Sequence, residues 1–214
     1  MTPAALARYV AQQLANLLPN TDIDAVEAEI SRHLPNTLDR LQYLIKHVKM
    51  WTPGKFDHLH STQYCTFLYL LSNEIFTQTG ERELPTRIFL LNKAMNAIDL
   101  FYEIDLPPVF FIGHSAGIVL AKATYGNYLV LYQNSTVGKN HGKAPKIGDG
   151  VIVYPNSAII GDTEIGDHCV LGQGTSVINQ IVPSNQFVFN GTGSSPLLKP
   201  TPQDQLPLEE YFRV

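Results

Sequence analysis

One histidine of this chain lies in surroundings that suit proton transfer to or from a bound molecule. His114 is preceded by Gly113 and followed by Ser115, Ala116 and Gly117, and these small residues leave room for a ligand. Imidazole has an unperturbed pKa of about 6.5, so at neutral pH it can take a proton from a hydroxyl group and return it to a leaving group. We therefore predict a general base at His114; a structural histidine at a bend is the alternative.

A second histidine lies in a segment that interrupts a regular pattern. Between Val137 and Ile147 the aliphatic spacing is ten residues, whereas it is six on both sides of this segment. A stacked repeat accommodates extra residues by extruding them as a loop. The extruded loop carries His141 and three lysines, so we predict that it forms one wall of a ligand site.

The regular pattern itself is a hexapeptide repeat. A helix places apolar residues about 3.6 apart and a strand places them 2 apart, so neither explains a period of six, whereas a stacked coil with one inward aliphatic residue per flat face does. Ile-Gly-Asp corners supply the turns between faces. The inward positions are Ile147, Val153, Ile159, Ile165, Leu171 and Val177, and small or β-branched residues follow at Val151, Ser157, Thr163, Cys169 and Thr175.

The same register extends upstream through Val119, Tyr125, Leu131 and Val137. The sequence therefore predicts a left-handed parallel β-helix with coils from about residue 109 to residue 182. Beyond Pro183 the chain is rich in proline and polar residues, which predicts an extended tail that lies along the coil or a neighbouring subunit.

The first hundred residues show helical rather than hexapeptide spacing. Capping residues and breakers predict helices over residues 4–18, 21–34, 36–50, 61–80 and 86–102. The last two are so apolar that we expect them to pack on one another and on a partner subunit. The predicted fold class is thus α+β, with an N-terminal all-helical domain over residues 1–106, the β-helix over residues 107–199 and an extended tail over residues 200–214.

Composition narrows the class of protein. With 44% hydrophobic and 16% charged residues the chain is that of an ordinary globular protein, and its net charge of −4 gives no reason to expect nucleic acid as a partner. No apolar run is long enough to span a membrane. Cys65 and Cys169 are too few for a disulfide framework, so a reduced, cytoplasmic protein is expected.

Three segments make the chain resemble the bacterial serine O-acetyltransferases, a family of hexapeptide-repeat acyltransferases. The segments are FIGHSAGIV at 111–119, LYQNSTVG at 131–138 and PKIGDG at 145–150, and the resemblance runs from about residue 60 to residue 199. It implies transfer of an acetyl group from acetyl-CoA to the hydroxyl of serine, at a site between neighbouring coils of a homotrimer. The helical domains of this family often join two trimers.

The resemblance also implies roles for single residues. His114 matches the general base, and Glu103 matches an acidic residue that orients the base, with Asp105 as a rival. Asp57 could supply an acidic substrate contact at the end of the helical domain, with His60 beside it; helix capping or surface placement is the alternative. His58 and His60 could also be read as a metal pair, but they have no third ligand at a recognisable interval, so no metal site is expected.

Two departures from the family fall on groups that recognise the acceptor. Where the family has an acidic substrate-binding residue just before the base, this chain has Gly113, and the family's second active-site histidine aligns with Ala144. His141, three residues earlier, could reach the same space. These departures weaken the case for serine and make a sugar hydroxyl a serious candidate acceptor.

The acetyl-CoA site is predicted from coil geometry. A pantetheine arm that lies between coils and bonds to backbone amides requires small residues, and lysines can meet the phosphates, although a β-helix also needs glycine at its corners for structural reasons. The candidates are Gly172, Gly174, Thr175 and Ser176, with Lys146 and Lys199 for the phosphates and Gly191 and Gly193 in the tail.

Three other functions remain open at this point. The same fold could acetylate the amine of an amino sugar, or it could be a structural or regulatory hexapeptide protein without turnover. A zinc carbonic anhydrase of this fold comes last, because the closely spaced histidine pair within its coils is absent. The preferred function is an acetyl-CoA-dependent O-acetyltransferase that acts on a small hydroxyl acceptor.

Overall fold

A computed structural model describes residues 1–19, 21–192, 195–202 and 207–213. Its N-terminal part contains the helices α1 (Pro3–Leu17), α2 (Ile23–His47), α3 (Ser61–Thr79) and α4 (Glu83–Asn96). Parallel strands follow, stacked as a solenoid of three sheets. The predicted order, a helical domain followed by a parallel β-helix, is therefore confirmed.

Helix α2 is longer than the sequence predicted. The sequence suggested two helices that meet at Pro35, but Pro35 lies inside one continuous helix that begins after the Asp22 cap. A proline lacks the amide that would bond to the preceding turn, and here the packing of the helix outweighs that loss. Leu34 and Leu41 on either side of the proline are both buried, and the Thr37 hydroxyl donates to the carbonyl of His33 across this turn.

Helix α3 forms the centre of the helical domain. Every residue from Thr62 to Ile75 is buried, because α2, α4 and the start of the β-helix surround it. The apolar residues of α3 are thus buried by other elements of the same chain. Helix α4 begins three residues earlier than predicted and ends at Asn96 rather than near Tyr102, because Ala97 adopts a left-handed conformation (φ 51°) and turns the chain into a strand.

The solenoid has three faces, which we number in the order in which the chain meets them after β2. Face 1 holds β1 (Asp99–Leu100), β3 (Val119–Leu120), β6 (Thr136–Gly138), β9 (Ala158–Ile160) and β12 (Ser176–Ile178). Face 2 holds β4 (Thr124–Tyr125), β7 (Lys146–Ile147), β10 (Glu164–Ile165) and β13 (Ile181–Val182). Face 3 holds β2 (Phe110–Ile112), β5 (Leu129–Leu131), β8 (Ile152–Val153), β11 (Val170–Leu171), β14 (Gln186–Phe189) and β15 (Leu197–Pro200).

One aliphatic or aromatic residue per strand points into the narrow interior, as the hexapeptide pattern predicted. The six repeat positions from Ile147 to Val177 are all buried. The prediction for Val119 was wrong: Val119 is 44% exposed, and Leu120 is the inward residue that pairs with Val137. The prediction counted back six positions from Tyr125, but Leu120 and Tyr125 are only five positions apart because the turn between these two faces is one residue short.

The coils continue further than predicted. The sequence placed their end at Val182, yet β14 (Gln186–Phe189) pairs in parallel with β11 and adds another strand to face 3. Strand β15 then pairs antiparallel with β14 and covers its open edge. Boundaries at residues 106 and 199 also cut through these sheets, because β1 precedes the first boundary and β15 runs to Pro200.

The C-terminal segment, residues 207–213, is not simply extended but folds back onto the junction between the two domains. It forms a 3₁₀-helix over Pro207–Glu210, and Phe212 pairs with Val48 at the end of α2 and is fully buried. The Arg213 guanidinium donates to carbonyls of the last turn of α2 and of the turn that follows this helix. These carbonyls belong to Ile45, Lys46, Val48, Lys49 and Trp51.

We expect the C-terminal segment to contribute strongly to stability. Phe212→Ala removes a fully buried ring and should lower the free energy of unfolding by about 3–5 kcal/mol, measured by urea unfolding followed by circular dichroism. The control is Phe189→Ala, because that ring is 37% exposed and its loss should cost less. Equal losses in the two variants would show that the C-terminal segment is only loosely attached.

Candidate functional site

His114 lies at the corner where the chain passes from face 3 to face 1, which we call the 3–1 corner. The inward side chains Ile112 and Leu120 are eight positions apart in sequence, whereas six is the usual step, so this turn carries two extra residues. The turn is nevertheless held by the backbone ladder of the solenoid. The amide of Gly117 donates to the carbonyl of Ala97 one coil below (2.9 Å), and the carbonyl of Ala116 accepts from the next coil above.

The conformation at this corner explains two of the small residues around His114. Gly117 has a φ of +75°, which favours glycine, and a Cβ there would collide with the side chain of Asn134 in the next coil, so a larger residue would displace Asn134. Ser115 is buried against α3, where its hydroxyl lies beside Cys65. Burial raises the pKa of the Cys65 thiol to about 12, so Cys65 is a neutral packing residue.

The His114 side chain itself is exposed. Its ring centroid is 6.3 Å from that of Tyr132. Within the described ranges the imidazole has no hydrogen-bond partner. An exposed imidazole on an enlarged turn, fixed on both sides by neighbouring coils, can receive a proton from a bound hydroxyl group.

Gly113 lies directly beneath the ring of Tyr132. A Cβ at residue 113 would come within 2.5 Å of Tyr132 Cε1, so the tyrosine fills the space that a side chain at this position would need. The Tyr132 ring stacks on Tyr154 with centroids 5.7 Å apart. The hydroxyl of Tyr211 lies 3.4 Å from that of Tyr132 and 3.2 Å from that of Tyr154. The acidic group expected from family resemblance is thus replaced by an aromatic surface.

Glu103 is engaged away from His114. Its carboxylate accepts from Lys122 at 2.6 Å and pairs with Arg82 at 2.9 Å, and it is only 14% exposed. The hydrogen bond from Lys122, helped by Arg82, holds the pKa of the Glu103 carboxyl below its usual range. The rival Asp105 is exposed at the domain junction. The structure therefore shows Glu103 as an anchor between α4, the linker and the first coil.

Asp99 was not among the site residues predicted from the sequence. This residue opens β1, directly below β3, and its amide donates to the carbonyl of Ile118 in the His114 turn (2.8 Å). Its carboxylate pairs with Lys93 at 2.5 Å. The available signal was the alternation of apolar and polar residues around it, Ile98-Asp99-Leu100, which is typical of a strand rather than of a helix.

His141 lies at a different corner from His114. The extra residues between β6 and β7 form a tight hairpin in which the amide of each of Asn140 and Lys143 donates to the carbonyl of the other, and His141 and Gly142 take the two positive-φ positions at its tip. The predicted loop is thus present, and His141 is exposed at its tip. This hairpin projects between faces 1 and 2, so one chain does not bring the two histidines to the same corner.

Asp57 and His60 lie in the turn that precedes α3. The carboxylate of Asp57 accepts from the amide of Leu59 at 2.9 Å, and His60 is the residue before the first turn of the helix. The His60 ring meets the ring of Trp51 edge-on, and Trp51 in turn packs on Phe111. Through Trp51 this turn lies behind the strand that leads to His114.

Most of the residues predicted to bind acetyl-CoA lie at or near the 3–1 corner, whereas Lys146 lies on another face. Gly172 and Gly174 lie at the 3–1 corner, in the third coil above His114, and Ser176 follows them on face 1. The Lys199 ammonium lies over the ring of Phe189, which covers Gly172. Lys146 lies on face 2, where Glu164 bonds to it at 2.6 Å and raises its pKa. Gly193 lies outside the described residues.

The described ranges contain neither a metal-binding cluster nor a membrane-spanning helix. No group of three or more His, Cys, Asp and Glu side chains there is arranged to hold a metal ion. None of the helices described is both long and apolar enough to cross a bilayer.

A helical domain followed by a parallel β-helix of six-residue steps, with a histidine on an enlarged corner, defines a hexapeptide-repeat protein. Residues 144–179 match the family model described as bacterial transferase hexapeptide (six repeats). Within this class the chain is similar to serine acetyltransferases, as its sequence segments predicted.

Both sequences and solved structures support that similarity. The chain is 26% identical over 204 residues to serine acetyltransferase 3, mitochondrial, of Arabidopsis thaliana, which covers 87% of this chain and 50% of that protein. The crystal structure of serine acetyltransferase from Vibrio cholerae has a TM-score of 0.74 at 21% identity, covering 95% of this chain and 81% of that one. That of the Neisseria gonorrhoeae enzyme in complex with serine has a TM-score of 0.71 at 18% identity, covering 94% and 84%. The chain spans about half the length of the curated relatives it matches.

Proposed function

We propose that the chain is an acetyl-CoA-dependent O-acetyltransferase that acts on the hydroxyl group of a small acceptor, with L-serine as the first acceptor to test. The observation that carries this proposal is the exposed imidazole of His114 on an enlarged, backbone-anchored turn at a corner whose upper coils expose small residues. The similarity to serine acetyltransferases, one of them solved in complex with serine, supports the choice of acceptor.

His114 acts as the general base in this proposal. It takes the proton of the acceptor hydroxyl as the oxygen attacks the thioester carbonyl of acetyl-CoA, and backbone amides at the corner stabilise the negative charge on the carbonyl oxygen. The carbon–sulfur bond then breaks, and the imidazolium returns the proton to the departing thiolate. The acetyl group passes directly to the acceptor, because both cysteines are buried and unavailable as carriers.

The acetyl-CoA molecule follows the 3–1 corner upward from His114. Neighbouring strands are about 4.8 Å apart, so Gly174 lies roughly 14 Å above the His114 turn, a distance that an extended pantetheine arm spans. Gly174 and Ser176 leave the backbone accessible there, whereas Gly172 is buried beneath Phe189, and Lys199 is available for a phosphate. Lys146 is on another face and already paired, so it has no part in binding by the same chain.

Asp99 is the carboxylate that orients His114 in this mechanism. It lies one coil below the His114 turn, and its amide donates to the carbonyl of Ile118 in that turn. Its carboxylate is paired with one cation, Lys93, whereas Glu103 is held by two. A carboxylate beside imidazole fixes its tautomer and stabilises its protonated form.

The site is completed by a neighbouring subunit of a homotrimer, and the helical domains could then join two trimers. His141 lies at another corner of its own chain, so it reaches a His114 only if a second chain packs against the first. Val119 and Ile178 on the outer side of face 1 are 44% and 48% exposed, which provides an apolar surface for that contact. The cytoplasmic location expected from the sequence stays a prediction, since one relative is named mitochondrial.

We expect His114→Ala to lower acceptor-dependent release of coenzyme A by at least about a hundredfold, because no other base lies in this turn. The measurement is thiol release from acetyl-CoA with L-serine, nucleotide sugars and amino sugars tested separately. His47→Ala on α2 is the control, and both variants should keep the melting temperature of the wild type. Unchanged turnover in His114→Ala would overturn the mechanism, and turnover only with amino sugars would favour N-acetylation.

Asp99→Asn should lower kcat and move the acidic limb of the pH profile to lower pH, because imidazole without its carboxylate has a lower pKa. The matched control is Glu103→Gln, which should keep the pH profile but lower the melting temperature at neutral pH. A carboxyl with a lowered pKa stabilises the fold above its unfolded pKa of about 4.3 and loses that effect as the pH falls through its folded pKa. The melting temperatures of Glu103→Gln and wild type should therefore converge in acid. A shifted pH profile in Glu103→Gln instead would assign the orienting role to Glu103.

Co-expression of His114→Ala and His141→Ala subunits tests the shared site. Each homotrimer should be inactive or strongly impaired, whereas trimers that contain both kinds of subunit should recover roughly a third of wild-type turnover, since one of their three interfaces then pairs two intact histidines. Recovery is measured on trimers purified through two different affinity tags. Full activity of His141→Ala alone would show that His141 has no part in the site.

A further inference from the structure

The outer side of the 3–1 corner carries a cluster of three tyrosines that the proposed mechanism does not use. Tyr132 and Tyr154 come from successive coils and stack nearly parallel, at 23°. Tyr211 arrives from the C-terminal segment, and its hydroxyl lies within hydrogen-bond distance of both others. We call these three residues the tyrosine wall. Its lower end, Tyr132, is the ring nearest to His114.

The position of Tyr132 limits which side chain can be accommodated at residue 113, next to His114. Gly113 does not have a positive φ, so its backbone would accept any residue. The restriction comes from space, because a Cβ there would press on Cε1, Cδ1 and Cζ of the Tyr132 ring. A carboxylate next to the base is therefore excluded as long as Tyr132 keeps this place. Neutral hydroxyl groups and an aromatic face occupy this side of the site instead.

The wall is fixed from outside the coils. Tyr211 is 6% exposed, and its ring also packs on Phe111 at a centroid distance of 6.1 Å. Arg213, two residues further, anchors the segment to the end of α2, and the backbone carbonyl of Tyr211 accepts from Lys49 at 2.8 Å. Burial raises the pKa of Tyr211, so its hydroxyl stays protonated and can donate a hydrogen bond. The C-terminal segment thus holds Tyr211 rigidly against Tyr132.

We propose that the tyrosine wall selects the acceptor, which it contacts through the hydroxyl and ring of Tyr132 rather than through a carboxylate. The class of acceptor that fits is a small hydroxy compound whose binding at this wall does not depend on an ammonium group. A hydroxy acid or a polyol is therefore accepted as readily as the corresponding amino acid. This inference rests on the proposed acetyltransferase function.

The kinetic test compares L-serine with D-glycerate, in which a hydroxyl replaces the ammonium group. The wild type should use both with kcat/KM values within about fivefold of each other. Tyr132→Phe, which deletes one hydroxyl, should raise the KM for either acceptor by about five- to twentyfold and leave the KM for acetyl-CoA and the melting temperature unchanged. The control is Tyr128→Phe, because that ring contacts the same C-terminal segment and its hydroxyl has no hydrogen bond in the part of the chain that the structure describes.

A double variant tests whether a carboxylate at residue 113 can replace the aromatic ring at residue 132. Gly113→Asp alone should destabilise the protein, whereas Gly113→Asp with Tyr132→Ala has room for the carboxylate and should prefer L-serine over D-glycerate by at least tenfold. A double-mutant cycle with Gly113→Ala and Tyr132→Ala measures stability and does not depend on enzyme activity. The melting temperature should fall in Gly113→Ala, and in the double variant it should be no lower than in Tyr132→Ala alone.

The outcomes separate the two proposals. An active wild type whose acceptor KM is unchanged in Tyr132→Phe, or which prefers L-serine over D-glycerate a hundredfold, would overturn the role of the tyrosine wall and leave the acetyltransferase intact. If the wild type releases no coenzyme A with any of the acceptors tested, although the stability cycle behaves as expected, the proposed function is overturned and with it the role of the tyrosine wall.

Discussion

The backbone ladder between successive coils is the interaction on which the rest of the structure depends. At the 3–1 corner the amides of Gly117 and Asn134 each donate to a carbonyl in the coil below, and every face repeats this pairing in register. Neighbouring coils must therefore keep the same path along their strands, and extra residues are tolerated only where the chain turns outward. The two enlarged turns of this solenoid, at His114 and at His141, both lie at corners, which places any chemistry outside the packed interior.

The ladder also explains how the two domains are joined. Helix α4 ends in the left-handed Ala97, whose carbonyl accepts from Gly117, so the end of the helical domain acts as the lowest rung under the His114 turn. Ser115 of that turn is buried against α3. The turn is thus fixed from below by the helical domain and from above by the next coil. Such support on both sides favours a preorganised site over a mobile one.

The residues that differ from the serine acetyltransferase pattern are linked by packing rather than scattered. Gly113 is small because Tyr132 covers it, and Tyr132 is held by Tyr211 of the C-terminal segment. A change in one residue beside the base is therefore tied to a segment that is about a hundred residues away in sequence. If this linkage controls acceptor choice, as proposed, acceptor specificity is encoded partly at the C-terminus of the chain.

The sequence by itself determined the fold class, because a period of six is incompatible with other regular structure, and it predicted His114 as the base because this histidine stands alone among small residues. It did not determine the continuous α2 through Pro35, the inward position of Leu120 or the extra strand β14, because each depends on packing or register between distant segments. The ion pairs of Glu103, the place of Asp99 and the contact of Tyr211 with Tyr132 were likewise decided only by tertiary structure. A hexapeptide pattern specifies which residues point inward, whereas the outward residues that form a site are brought together by the stacking of coils and by the chain that folds back over them.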